Sequence, residues 1–398
     1  MRKGWLARVG PWVGLSTSPV ALVAGGGVAE GLKGAELVAA LVVGSVILSC
    51  LAGAQGLLGQ RTGLPLASLT ARALGSHGSR WVGSMVMLLM MLGWFGVNVG
   101  IAGVATGRLL NVPDLVGIVA FGAVMLLIAA RGLGVLSWIS LTAGIAATAL
   151  AAYGMQLVLT DHVVTISDGF AASHPMSFAA AVTLMVGYGS AFSLRTPDFT
   201  HDLPRSRHVA WCALWGLCVP YIGFALAGAL LYTATGEWDL ADALRDLGSS
   251  DLAYLFVAVG FTGSVLTNVW SGGLALRDVV PRLTPIAGMA SLVVLGTCAA
   301  AAGLADVALD WLTVMALSAP GLVVLCILAA RTSDSPRVQW RPVPLIAWAM
   351  GIVFAVGLHL AGSALALPAA AAVPAGIYGI FGLIGRRPGG SPIPGRRK

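Results

Sequence analysis

Long apolar runs separated by short polar connections fill almost the whole chain. A helix that crosses the hydrocarbon core of a bilayer needs about 20 predominantly apolar residues, and twelve segments are long enough. No connection between them is long enough to hold a soluble domain. The pattern predicts an all-α, polytopic membrane protein with twelve transmembrane helices. The segments lie near residues 10–29, 36–59, 81–106, 113–131, 134–160, 174–195, 209–234, 252–276, 284–304, 308–330, 343–363 and 366–385.

Positive charges are distributed unevenly among the connections. If the N-terminus is cytoplasmic, the cytoplasmic segments carry 20 of the 23 Lys and Arg residues, and the outer segments carry only Lys33, Arg108 and Arg245. Cytoplasmic loops of membrane proteins carry an excess of Lys and Arg, and one segment more or fewer would destroy this alternation. The sequence therefore predicts a multi-pass protein of the inner membrane with both termini in the cytoplasm.

Composition excludes several other classes of protein. The chain is 58% hydrophobic and 10% charged, whereas a soluble domain carries about 25% charged residues. The net charge of +7 follows from the cytoplasmic excess of arginine and does not indicate a nucleic-acid partner. The five cysteines are scattered through apolar segments, which is not typical of a disulfide framework or a metal site. No Walker A loop, zinc-protease motif or serine-hydrolase motif is present, so we do not expect an enzyme or an ATP-driven pump.

Two of the apolar segments carry interruptions. The first contains Ser16, Thr17, Ser18 and Pro19, and the sixth contains the run GYGSAFS at 187–193. Proline removes a backbone donor, and open backbone at membrane depth is tolerated only where it lines a cavity or is buried in protein. Paired broken helices in corresponding halves indicate a midplane binding site in an inverted-repeat transporter. The alternative is close helix packing through small residues.

Polar and aromatic groups in two other segments are candidates for this site. In the third segment, Met91, Trp94 and Asn98 share one helical face, and the indole between glycines offers a flat stacking surface. Trp94 as an ordinary packing residue is the alternative. In the eighth segment, Thr267 and Asn268 lie within the span, and a buried amide requires several hydrogen-bond partners.

No ionisable side chain lies in the middle of any predicted span. The expected site is therefore neutral, formed by an indole, hydroxyls, amides and open backbone, and suits a small, uncharged, planar solute. The charged loop from Arg195 to His208 has two interpretations, a solvated connector or a cytoplasmic gate.

Three motifs carry a family resemblance. The run RTGLPLASLTARALGSHGS at 61–79 followed by GWFGV at 93–97, then TPDFT at 196–200, and more weakly Thr267-Asn268, resemble the cytosine permeases of the nucleobase–cation symporter family. The resemblance implies a ten-helix inverted-repeat core of the leucine-transporter type, with broken helices 1 and 6. The core would span residues 1–330, with halves at about 10–160 and 174–330. Two additional helices would follow at 331–385, then a basic cytoplasmic tail at 386–398.

The resemblance also implies site residues. The substrate would stack on Trp94, with further contacts from the third, sixth and eighth helices: Met91, Asn98, Tyr188, Gly189, Ser190 and Asn268. A coupling sodium ion would be held by the carbonyls of Gly14 and Thr17 and the hydroxyl of Thr267. Cytosine permeases have side-chain ligands for this ion where the present chain has Gly263 and Leu266. We therefore expect a weak sodium site.

These expectations combine into one function with alternatives. The chain is expected to be a secondary active transporter that imports a nucleobase or a related planar heterocycle by alternating access, coupled to sodium or to protons. One alternative is a cation-independent transporter or an exporter of another small heterocycle. The other is a receptor or scaffold on the same fold. The expected partners are the heterocycle and the lipid bilayer, with no nucleic acid and no cofactor apart from sodium. The sequence does not indicate an oligomeric state.

Overall fold

The computed structural model describes residues 4–160, 175–303, 308–330 and 338–384. Every regular element among these residues is helical. The predicted basic tail at 386–398 lies outside them, as do Arg2, Lys3, Arg331 and Arg337. The helices are α1 Gly10–Ser16, α2 Pro19–Gly31, α3 Gly34–Thr62, α4 Leu66–Leu74, α5 Ser76–Gly78, α6 Ser84–Leu109, α7 Asp114–Ala129, α8 Leu133–Leu159, α9 Phe178–Arg195, α10 Pro197–Thr200, α11 Ser206–Trp211, α12 Val219–Thr235, α13 Leu240–Asp246, α14 Ser250–Val279, α15 Pro285–Ala301, α16 Ala308–Ala330, α17 Pro342–Leu360 and α18 Ala366–Ile384. A 3₁₀ turn at Trp5–Ala7 and π-helical turns at Ser79–Gly83 and Cys212–Cys218 complete the set.

The predicted spans correspond to these helices. Within the described ranges, seven helices are long and apolar enough to cross a membrane, and the bent pair α1–α2 is an eighth. Four shorter apolar helices occupy the remaining predicted segments: Asp114–Ala129, Pro285–Ala301, Leu317–Ala330 and Ala366–Phe381. The all-α architecture predicted from hydropathy is therefore confirmed.

The first span is broken where the sequence predicts it. Helix α1 ends at Ser16, Ser18 adopts an extended conformation, and α2 begins at Pro19. The two helices are bent by 40° relative to each other. Pro19 has no N–H to give to the Leu15 carbonyl one turn earlier, so the helical ladder cannot continue through this point.

The sixth span is not broken at the predicted position. Helix α9 continues through the whole run at 187–193 and ends at Arg195. Glycine lowers helix stability by only about 1 kcal/mol and keeps its backbone donor. The serine hydroxyls bond to carbonyls of the same helix, Ser190 to Gly187 at 3.1 Å and Ser193 to Ser190 at 2.6 Å. The interruption instead falls at Thr196, immediately before Pro197.

Helix α14 lies at the centre of the bundle, where it packs against α1, α6, α8 and α15. Its approach to α1 depends on two glycines, because a Cβ added to Gly14 would lie 2.7 Å from the Cα of Gly263. Helix α9 packs against α3, and α2 packs against α12. These contacts bring the break in the first span, α6, α9 and α14 together around one central point.

Two ends of the bundle differ in charge. We call the end that contains the connections at 61–80, 195–208 and 277–283 the arginine-rich end, and the opposite end the arginine-poor end. At the arginine-rich end, the first part of the connection after α9 is packed, because Asp198, Phe199 and Thr200 are buried, whereas Asp202, Arg205 and Arg207 farther along are exposed. The Thr200 hydroxyl donates to the Gly56 carbonyl at 2.8 Å, and Asp198 accepts the Leu66 N–H at 2.9 Å. The packed part of this connection therefore joins the end of α9 to α3 and α4.

Candidate transport site

A small cavity lies at the point where the four central spans meet. Its volume is about 20 Å³, which is enough for one water molecule but not for a heterocycle. The lining residues come from four places in the fold. They are Leu15, Ser18 and Val20 at and on either side of the break in the first span, Met91, Trp94 and Asn98 of α6, Tyr188, Ala191, Phe192 and Arg195 of α9, and Ser264 and Asn268 of α14. Five of the seven predicted substrate-binding residues are among them.

The predicted face of α6 faces this cavity. Met91 and Asn98 are buried, and Trp94 is half-buried beside them. The Asn98 amide donates to the Ser264 hydroxyl at 3.3 Å. Its Oδ1 is buried and has no hydrogen-bond partner within the described ranges. An unsatisfied buried acceptor costs free energy, so this amide is available to a donor on a bound solute.

Tyr188 connects α9 to the break in the first span. Its phenol donates to the Leu15 carbonyl at 2.7 Å, which is the acceptor left without the Pro19 N–H. The ring stacks on Tyr221 with centroids 5.2 Å apart. The open backbone of the first span is thus satisfied by a side chain from the sixth.

The two other predicted substrate-binding residues, Gly189 and Ser190, do not line this cavity. A Cβ at Gly189 would lie 2.5 Å from the Leu48 Cδ2, so this glycine serves the packing of α9 against α3. The Ser190 hydroxyl bonds to its own helix. Helical periodicity explains the difference, because residues 188, 191, 192 and 195 share one face and residues 189 and 190 point elsewhere.

The site contains a positive charge, so the prediction of a neutral site is wrong. Arg195 is only 3% exposed. Its Nη1 lies 2.9 Å from the Asn268 Oδ1 and 2.7 Å from the Met91 Sδ, and its Nη2 lies 3.2 Å from the Thr267 Oγ1. Arg195 is the last residue of α9, where the sequence places a loop residue. Helical side chains lean toward the N-terminus of their helix, so this long side chain extends back into the bundle.

Of the three predicted sodium ligands, which are the carbonyls of Gly14 and Thr17 and the hydroxyl of Thr267, the hydroxyl is engaged by a guanidinium. The Thr267 hydroxyl donates to the Ser264 carbonyl at 2.8 Å and accepts from Arg195. The Thr17 hydroxyl donates to the Val13 carbonyl at 2.8 Å. At the third position, Gly14 is in direct backbone contact with Gly263. A guanidinium that bonds to the expected ligand oxygen also repels a second cation. Within the described ranges, no group of three or more His, Cys, Asp or Glu side chains could hold a metal ion.

Larger cavities lie on both sides of the central one. Toward the arginine-poor end, a cavity of about 650 Å³ is bounded by Glu30, Trp238 and His359 and reaches Trp94 and Tyr188. Its volume lies in the range of ligand pockets, about 300–1,000 Å³. Toward the arginine-rich end, a cavity of about 160 Å³ contains Asp198 and Asp278. Trp94 and Tyr188 therefore stand between the central cavity and the larger space at the arginine-poor end.

Comparison with known proteins identifies the family of the chain. The family described as "Permease for cytosine/purines, uracil, thiamine, allantoin" matches residues 3–320. The chain belongs to this permease family. This chain, called the permease below, is 24% identical over 365 residues to the cytosine permease of Escherichia coli strain K12. The aligned region covers 88% of this chain and 85% of the Escherichia coli protein. The cytosine permease of Escherichia coli O157:H7 has the same identity and coverage. The resemblance seen in the loop motifs is thereby confirmed.

Solved structures show the fold of the permease. Mhp1, a nucleobase-cation-symport-1 family transporter, in a closed conformation with bromovinylhydantoin bound, is similar with a TM-score of 0.79 at 18% identity, over 96% of this chain and 94% of that one. The inward-facing conformation of Mhp1 gives a TM-score of 0.75 at 20% identity, over 96% and 92%. A Na⁺-coupled sialic acid symporter gives 0.66 at 10% identity, over 96% and 90%. The predicted inverted-repeat fold is confirmed, and the permease is a membrane transport protein and not an enzyme.

Proposed function

We propose that the permease imports a nucleobase or a related planar heterocycle by alternating access. The observation that carries this proposal is the convergence, beside the break in the first span, of the Trp94 indole with the amides of Asn98 and Asn268 and the hydroxyl of Ser264. An aromatic face can stack on a planar ring, and amides and hydroxyls can read the hydrogen-bonding edge of a heterocycle.

The cavities support a route to this site. A solute in the cavity at the arginine-poor end contacts Trp94 and Tyr188 directly. At the arginine-rich end, the packed connection after α9 and an ion pair between Arg8 and Asp202 close the exit. Transport requires these two ends to open in turn, which fits a fold whose broken helix lies at the midplane.

Orientation and domain organisation form part of the same proposal. The arginine-rich end faces the cytoplasm and the arginine-poor end faces outward, in the inner membrane of the cell. Residues 1–330 form the transport core, and residues 331–385 provide two additional helices that pack against α16. Sodium coupling is not part of the proposal, because the Thr267 hydroxyl accepts from the Arg195 guanidinium, which repels a second cation.

The test is uptake of radiolabelled heterocycles into proteoliposomes that contain the purified permease. The panel comprises cytosine, uracil, hypoxanthine, xanthine, allantoin and a hydantoin, with protein-free liposomes and a Trp94→Ala variant as controls. Saturable uptake of at least one compound, lost in the variant, is the expected result. A receptor or scaffold would bind a compound without flux, and efflux without uptake from oriented vesicles would indicate an exporter. Either of these outcomes would refute the proposal of import.

A further inference from the structure

The buried arginine of the transport site has one donor left over. Nη1 and Nη2 of Arg195 bond to Met91, Asn268 and Thr267. Its Nε is buried and has no hydrogen-bond partner within the described ranges. The guanidinium carbon lies 5.3 Å from the centre of the Phe192 ring. The side chain also lines the cavity that Trp94 lines.

Within the described ranges, Arg195 forms no direct ion pair, although the buried Asp198 carboxyl acts on its charge from a greater distance. Arg8, Arg108 and Arg245 form ion pairs with Asp202, Asp114 and Asp242. Asp198 follows one turn later, but its Oδ1 accepts the Leu66 N–H, and the cavity that it lines lies toward the arginine-rich end. The three groups that Arg195 contacts are a thioether, an amide and a hydroxyl, which are all neutral.

A charge in this position requires compensation. Burying an unpaired ion costs several kcal/mol, and ionisable residues inside transmembrane bundles mark substrate or ion pathways. Arg195 bonds to Thr267, the hydroxyl that the family resemblance assigns to sodium. The bundle therefore already contains a cation at the place where the coupling ion would bind, and a negative charge delivered by a solute would balance it.

We propose that Arg195 serves as the resident cation of the transport site, so that the permease binds a planar heterocyclic anion without sodium. This rests on the proposed function and narrows its substrate class. The heterocycle stacks on Trp94, and a carboxylate or a deprotonated imide on its edge accepts from the Arg195 Nε–H. Asn98 and Ser264 contact the neutral part of the ring. Charge-assisted hydrogen bonds of this kind are about twice as strong as neutral ones.

The experiment compares ligands that differ in charge. Orotate and uracil share one ring and differ by a carboxylate, and urate and hypoxanthine provide an anionic and a neutral purine. Binding to the purified permease is measured by calorimetry in sodium chloride and in choline chloride of equal ionic strength. We expect the anion of each pair to bind at least about tenfold more tightly. We also expect less than about a twofold difference in affinity between the two salts.

Variants separate the charge from a structural role. Arg195→Gln should weaken binding of the anion at least about tenfold more than binding of the neutral member, and Arg195→Lys should restore part of the preference. A purely structural arginine would change both ligands of a pair in parallel. Arg80→Gln is the matched control, because Arg80 donates to the Val279 carbonyl at 2.9 Å and lies outside the cavity. It should leave the preference unchanged.

A sodium measurement without ligand keeps the two proposals apart. The melting temperature of the unliganded permease should be equal in sodium and choline, and a sodium-specific increase would refute the inference. Tighter binding of the neutral ligands, or at least about tenfold tighter binding in sodium, would also refute it while leaving heterocycle transport in place. Failure of every heterocycle to bind or enter would instead refute the proposed function, and the sodium comparison would still decide whether a sodium site exists.

Discussion

The Tyr188 phenol donates a hydrogen bond of 2.7 Å to the carbonyl of Leu15, the residue one turn before Pro19. This bond joins the sixth span to the broken part of the first span. It gives the Leu15 carbonyl a second donor, beside the Ser18 N–H at 3.3 Å, in place of the N–H that Pro19 lacks. A movement of α9 relative to α1 must break it, so the bond stabilises the present arrangement of the two spans.

Tyr188→Phe should destabilise this arrangement by about 1 kcal/mol, because the Leu15 carbonyl loses one hydrogen bond and keeps the one from the Ser18 N–H. We expect a lower melting temperature together with altered heterocycle affinity, since Tyr188 also lines the cavity. Tyr221→Phe is the matched control. Its phenol is buried and donates to the Met185 carbonyl at 3.0 Å, away from the break. Equal effects of the two variants on ligand affinity would contradict a specific role for the Tyr188 bond.

Trp94→Ala should abolish heterocycle binding while the permease still folds. Loss of one stacking face costs about 1–3 kcal/mol for a planar base, and Trp94 is only half-buried by the surrounding protein. Isothermal calorimetry and the melting temperature measure the two effects separately. Trp138→Ala, which removes an exposed tryptophan of α8, controls for the loss of an indole. If the affinity of Trp94→Ala equals that of the unmodified permease, Trp94 is a packing residue.

The sequence predicted those features that depend on local chemistry. The break in the first span follows from the missing donor of Pro19, and the structure places it there. The glycine–serine run in the sixth span removes no donor, so the helix continues through it. In both spans the presence or absence of a backbone donor decided the outcome, and small residues alone were an insufficient signal.

The site was predictable to the extent that helical spacing places residues on one face. Met91, Trp94 and Asn98 were found in this way. Arg195 was missed because it ends its segment and was assigned to a loop. The same spacing, extended from Tyr188 by seven residues, would have placed it on the cavity face. Its contact with Thr267 depends on how α9 packs against α14, and no local pattern contains that information.

The orientation of the bundle can be measured directly. Single cysteines at Arg207 and Asp246, introduced into a background without the five native cysteines, place one probe at each end. Both positions are exposed. A membrane-impermeant maleimide applied to intact cells should label position 246 and not position 207, because the charge distribution places the arginine-rich end inside. The reverse labelling pattern would overturn the proposed topology.

Asp202→Asn should loosen the arginine-rich end. Arg8 is 3% exposed and Asp202 31% exposed, and the Arg8 Nε donates to the Asp202 Oδ1 at 3.1 Å. The expected cost is about 1–3 kcal/mol, between the values for exposed and buried pairs. A cysteine at Ala191 in the cavity should then react faster with maleimide in inside-out vesicles. Asp242→Asn breaks the Arg245–Asp242 pair at the opposite end and should leave this rate unchanged.

Asp198 should make the stability of the closed arginine-rich end depend on pH. This carboxyl lies between α9 and α11, and burial raises its pKa from 3.8 to about 6, although the Leu66 N–H partly opposes the shift. Because the pKa is higher in the folded state, protonation of Asp198 favours the folded state. This stabilisation is complete at pH values below the ordinary pKa of the carboxyl. That contribution is lost as the pH rises through about 6. The loss is about 3 kcal/mol at most, from about 1.4 kcal/mol per pKa unit.

The melting temperature of Asp198→Asn relative to the unmodified permease should therefore increase between about pH 5 and pH 7.5, because the asparagine remains neutral and its Oδ1 can still accept the Leu66 N–H. The difference between the two proteins removes the pH dependence of groups that do not interact with Asp198, whereas Arg195, His201 and Asp278 act on its charge. His201→Gln is the matched control and should retain the pH dependence of the unmodified permease. Parallel profiles for Asp198→Asn and the unmodified permease would show that burial of Asp198 does not control this end of the bundle.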